Sequence, residues 1–175
     1  MPNYKLTGKR ESLTDDVTFF EKVKSKELTL GKEKTAFLCL LYYLGCRVSE
    51  GLALRGKDFR VDDKRLYVNI KRLKHSKQVP ANHIRIDRPY IKDIISLINR
   101  TNPRSRLWPF SRITAWRFIS KNGFIYPHYW RLNRLSQFLH KGYTIDQVKS
   151  WCGLTLKALD SYVGLVSTRK MGDSI

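Results

Sequence analysis

The chain is poor in the features that would open several familiar routes to function. Three cysteines, Cys39, Cys46 and Cys152, make no paired framework and no CxxC metal signature. Cys39 and Cys46 lie seven apart in a helical pattern and read as small apolar core residues that share a face. The longest apolar run, Thr35 to Gly45 (TAFLCLLYYLG), falls short of the roughly 18 residues that suggest a membrane span. The N-terminal stretch MPNYKLTGKRESLTDD lacks the apolar core of a secretory signal. There is no HExxH, no Walker loop, no GxGxxG and no carboxylate cluster suited to Mg²⁺. The expectation is a soluble, cytoplasmic protein with no metal, no cofactor and no membrane partner.

Acidic residues are scarce as well: 15 Asp and Glu stand against 34 Lys and Arg, for a net charge of +19 and a pI near 10.1. Such an excess points to a polyanion, because neutralising phosphates releases condensed counterions. A membrane surface is the main alternative, but the cations are spread along the chain and form no terminal polybasic tail. At 175 residues, 42% of them hydrophobic, the chain has enough material for one domain with a core of its own.

The patterning is mainly helical with a small antiparallel sheet, an α+β class. Thr14, followed by two acids, predicts a helix N-cap ahead of Phe19, Phe20 and Val23. Lys32 to Leu44 predicts a long buried helix, and Glu50 to Leu54 a short one. Leu66, Val68 and Ile70 alternate with polar neighbours as a half-buried strand does, and Gln78-Val79-Pro80 predicts the return arm of a hairpin with a basic tip. Helices are then predicted over Tyr90 to Ile98, Pro109 to Asn122 with Ser111 as cap, His128 to His140, Thr144 to Cys152 and Leu156 to Val163. Gly142 and Gly153 sit at C-cap positions.

Four clusters carry candidate chemistry. Arg47 ends the apolar helix in Gly45-Cys46-Arg47-Val48-Ser49-Glu50; its guanidinium needs an anion, either Glu50 or a ligand phosphate. Arg72, Lys74, His75 and Lys77 crowd the hairpin, which is either a solvated basic turn or a tip that enters a DNA groove with an ammonium as proton donor. His128 and Arg131, three apart, share a helix face and suit a phosphate. Tyr162 carries no local mark of a nucleophile. A set of cations, a His and a Tyr suits metal-free phosphoryl transfer, in which arginines hold the charge of the transition state.

In this order the clusters resemble the tyrosine recombinase (phage-integrase) catalytic domain over roughly residues 30 to 165. GCRVSEGLALRGKDF is similar to that family's first-arginine motif, RLKHSKQVPA to its lysine hairpin, HYWRLNRLSQFLHKGYTIDQVKSWCGL to its second box and LDSYVGL to the nucleophile segment. The resemblance implies an integrase-like site-specific recombinase acting on double-stranded DNA as a homotetramer on paired sites. It implies that Arg47, His128 and Arg131 hold the scissile phosphate, that Lys74 protonates the departing oxygen, with Arg72 and Lys77 as its competitors, and that Tyr162 attacks phosphorus. Glu50 orients the site, and Arg72, His75 and Lys77 contact DNA. Leu154 stands where the family has His or Trp, with Trp151 nearby as a substitute. The implied layout is an arm or linker end over residues 1–12, a catalytic domain over 13–165 and a tail over 166–175, without the family's N-terminal core-binding domain. A topoisomerase-like relaxing enzyme and a noncatalytic DNA-binding module are the other readings.

Overall fold

A computed structural model describes residues 14–71, 82–125 and 127–153. Its centre is α2 (Lys32–Leu44), in which every residue from Thr35 to Leu44 is buried. A helix apolar on all sides belongs inside a domain, surrounded by other elements. Around it pack α1 (Asp16–Leu30), α3 (Val48–Ala53), α4 (Ile91–Arg100), α5 (Arg112–Lys121) and α6 (Pro127–His140), while α7 (Ile145–Cys152) lies against α6. Aromatic rings fill the gaps. Phe19 of α1 stacks on Tyr42 of α2 at 3.8 Å between centroids, and Trp130 of α6 closes on both edge-to-face.

Between α3 and α4 runs a three-stranded antiparallel sheet, β1 (Phe59–Val61), β2 (Arg65–Val68) and β3 (Asn82–Arg85), in the order β1-β2-β3. Leu66 pairs with Ile84 and Val68 with Asn82, so one face of the sheet joins the core. Arg60, Tyr67 and His83 follow one another across the opposite face. The expected α+β architecture is therefore present.

The local expectations fare unevenly. Ser111 and Thr144 cap α5 and α7 by accepting from Thr114 N and Gln147 N, and Gly153 ends α7 in the left-handed conformation. The cap of α1, however, is Asp15, whose carboxylate accepts from Thr18 N at 2.7 Å, and not Thr14. A carboxylate at this position adds a favourable charge–dipole interaction to the hydrogen bond. Helix α3 begins two residues earlier than predicted, because the Glu50 carboxylate reaches back to the Arg47 N–H at 2.8 Å and closes the first turn at Arg47. The predicted hairpin tip and its return arm before Asn82, and the helix Leu156 to Val163, lie outside the described residues.

One glycine is required. Gly45 ends α2 at φ 58°, and its N–H donates to Leu41 O at 2.9 Å. A Cβ there would stand 3.1 Å from Cβ of Arg134. The left-handed turn swings the chain from α2 into Arg47 and leaves the Gly45 carbonyl facing α6.

Candidate active site

Three segments meet at this turn. Arg47 heads α3, Glu50 is one turn further on, and His128 and Arg131 project from the first turns of α6. The Glu50 side chain is fully buried and holds both arginines. Its Oε1 lies 2.8 Å from Arg47 Nη1, and its Oε2 lies 4.0 Å from Arg131 Nη1. A buried carboxylate between two guanidiniums supplies the counter-charge that each cation needs.

Arg131 is 1% exposed and is bolted between two helix ends. Nη1 donates to Gly45 O, at the end of α2, at 2.8 Å, and Nη2 donates to Cys152 O, at the end of α7, at 2.6 Å. Carbonyls at helix C-termini carry partial negative charge and lack intrahelical partners, so a planar cation that bridges two of them satisfies both. Arg47 differs: a third of its side chain reaches solvent. The pair thus presents one outward cation backed by one internal cation.

His128 has a surface-exposed ring whose proton affinity lies below the ordinary histidine value. Desolvation by the protein around the ring is the largest cause, followed by the positive charges of Arg131 and Arg47. The sign follows. The folded protein binds this proton less readily than the unfolded chain does. His128 therefore contributes stability above the unfolded-chain pKa that is lost as pH falls from there through the folded value. A phosphate bound between the arginines reverses the balance of charge. We predict that an NMR titration finds the His128 midpoint below that of an unstructured histidine, and that inorganic phosphate raises it; a midpoint indifferent to phosphate contradicts the arrangement.

Glu50 gives a second local prediction. Glu50→Gln keeps the shape but removes the charge facing both arginines, and should lower unfolding stability by about 1–3 kcal/mol. Urea unfolding of the two proteins measures this.

Trp151 lies beside the group. Its indole N–H donates to Leu44 O at 3.2 Å, and its carbonyl accepts from Asn82 Nδ2 at 3.0 Å. It ties α7 to the end of α2 and to β3. His83 on β3 meets the Trp151 ring edge-on at 5.7 Å. The Gly45 and Cys152 carbonyls and Asn82 are not among the residues expected from the sequence. A glycine at each helix end was the available signal for the two carbonyls; nothing marked Asn82. The fold brings Arg47, Glu50, His128 and Arg131 together, whereas Arg72, Lys74, His75, Lys77, Leu154 and Tyr162 lie outside the described residues. Among the described residues no group of three or more His, Cys, Asp or Glu is placed to hold a metal ion, and no helix is long and apolar enough to cross a membrane.

Neither a protein-family model nor a curated protein matches the sequence. Solved structures do match the fold. The XerH site-specific recombinase bound to difH substrate in a pre-cleavage complex superposes with a TM-score of 0.68 at 15% identity, over 87% of this chain and 50% of that one. XerA recombinase gives 0.68 at 16% identity, over 94% and 65%. A post-cleavage complex of XerH on palindromic difH substrate gives 0.67 at 17% identity, over 98% and 58%. The chain spans half to about two thirds of the length of these proteins. It has the fold of tyrosine recombinase catalytic domains.

Proposed function

We propose that this chain is the catalytic part of a site-specific DNA recombinase that cuts and rejoins DNA through a 3′-phosphotyrosyl intermediate. The observation that carries the reading is the meeting of Arg47, Arg131 and His128 around buried Glu50, in a fold shared with recombinases solved on their DNA substrates. The net charge of +19 suits a phosphate polymer as partner.

The steps follow from the chemistry of the side chains. The Tyr162 oxygen attacks phosphorus and forms the new P–O bond as its proton passes, with the help of His128, to solvent. The bond to the 5′-oxygen breaks, and Lys74 gives that oxygen a proton, while Arg72, His75 and Lys77 contact the DNA. Arg47 and Arg131 stabilise the charge on the non-bridging oxygens, and His128 contacts the same phosphate and assists proton transfer. The phosphotyrosyl bond stores the energy of the broken one. A 5′-hydroxyl can then attack it and reseal the strand without ATP or metal. Exchange between two duplexes requires paired sites, for which a homotetramer is the natural assembly, in the compartment that holds the DNA. Integration of a phage or viral genome is one such reaction.

Incubation with a nicked suicide duplex tests this reading. The expected product is a covalent protein–DNA adduct on a denaturing gel. Binding without adduct would instead make the chain a noncatalytic DNA-binding module. Relaxation of supercoiled DNA lacking any special site would make it a topoisomerase-like enzyme.

A further inference from the structure

Helix α6 carries two stripes of polar residues. His128 and Arg131 lie on one. On roughly the opposite side Tyr129, Asn133 and Gln137, one every four residues, converge on a single residue, Thr14. The Thr14 N–H donates to Asn133 Oδ1 at 2.8 Å, and the Thr14 carbonyl accepts from Asn133 Nδ2 and from Gln137 Nε2, both at 2.9 Å. The Thr14 and Tyr129 hydroxyls share a hydrogen bond of 2.8 Å. The Asn133 amide therefore pairs with the backbone of residue 14 as an adjacent strand would, and it does so at 1% exposure.

The network extends inward. Gln137 Nε2 also donates to the Tyr42 hydroxyl at 2.9 Å, and the Tyr42 hydroxyl donates to Asp16 Oδ1 at 2.6 Å. Arg134 donates from Nε to Tyr42 O and from Nη1 to Gln137 Oε1, and its guanidinium lies 4.9 Å from the centre of the Tyr42 ring. Arg88 pairs with Asp16 from the other side. The start of α1, the last turn of α2 and the length of α6 are thereby joined.

Apolar packing alone would hold these elements together without fixing their register. A buried amide whose donor and acceptor are both used fixes direction as well as distance. Tyr129 follows His128 directly, and Asn133 lies two residues past Arg131, so any rotation or slide of α6 moves both stripes at once. Reactions of positioned groups lose rate steeply with misplacements of about 1 Å.

We propose that Asn133 is a positioning residue: by clamping the backbone at Thr14 it sets the rotation and height of α6, and so the aim of His128 and Arg131. The proposal rests on the recombinase reading for its catalytic consequence, though not for its geometry.

Two variants of the full chain test it, Asn133→Ala and the milder Tyr129→Phe, each checked for folding by circular dichroism and thermal unfolding. The first readout is the NMR titration of His128 with and without inorganic phosphate. Arg131 and Arg47, both paired with Glu50, are the charged groups whose placement that ring reports. The second readout is the single-turnover rate of adduct formation at saturating nicked DNA, set beside the dissociation constant. Asn133→Ala should raise the His128 midpoint toward the ordinary value, blunt its response to phosphate and slow adduct formation about tenfold with DNA affinity little changed. Tyr129→Phe should move each readout the same way by less. Folded variants with lower melting temperatures but unchanged midpoint, phosphate response and rate would overturn the proposal and leave the network purely structural. If Asn133→Ala does not fold, Tyr129→Phe decides by the same readouts. If the wild type forms no adduct, the recombinase reading fails, and the His128 titration still decides the positioning role.

Discussion

Arg131→Ala should both weaken the fold and slow the proposed DNA cleavage, the largest combined effect expected of any substitution among the described residues. The structural loss comes first. Arg131 is the donor to Gly45 O and to Cys152 O and the second cation facing Glu50. Its removal leaves two helix-end carbonyls short of a donor and a buried carboxylate short of a counter-charge, a loss of about 3–5 kcal/mol. The catalytic loss follows from charge. An arginine that stabilises the pentacoordinate phosphorane contributes at least as much as one oxyanion-hole donor, so the single-turnover rate should fall by about 10²–10³ or more. Both are measured on one preparation, stability by urea unfolding and rate below the melting temperature. Arg131→Lys separates the two roles, because a point charge cannot bridge two carbonyls as a planar fork does. It should regain part of the rate and little of the stability. An alanine variant with unchanged stability would contradict the bridging geometry.

Tyr162→Phe should have the opposite profile: full loss of adduct with no change in stability or DNA affinity. The substitution removes one oxygen and keeps the ring. On the proposed reading the arginines and His128 would still bind the phosphate, so fluorescence anisotropy with duplex DNA should give the wild-type dissociation constant at matched salt. An adduct that persists in the Phe variant would remove Tyr162 from the reaction.

Much of this arrangement is legible in the chain because it depends on side-chain pattern. The run Thr35 to Gly45 is apolar on every side and could only be the central helix, and the glycine that ends it marks the turn into Arg47. Glu50, three residues past Arg47, is its ion-pair partner as helical spacing requires. Strand β2 shows its period of two, whereas β1, at three residues, is too short to show any period and is held by pairing with β2. The partners of Arg131 were harder to read, for a different reason: the helix-ending glycines mark helix-end carbonyls but not what reaches them. They are backbone carbonyls, identical in every residue, and only the folded chain says which ones come within reach. Thr14 shows a third limit. Its polar neighbours made it a plausible cap, but Asp15 takes that place and frees Thr14 for α6. The fold is shared with solved recombinases at identities of only 15–17%, since a fold needs the pattern of burial more than particular residues.

The chemistry turns on which atom becomes joined to DNA. The adduct formed on a nicked suicide duplex in EDTA should be trapped, digested with nuclease and protease, and the phosphorylated residue located by mass spectrometry. The account predicts a single 3′-phosphotyrosyl linkage on the peptide containing Tyr162, formed without metal. A linkage on another residue, or cleavage that needs a divalent cation and leaves no protein attached, would contradict it.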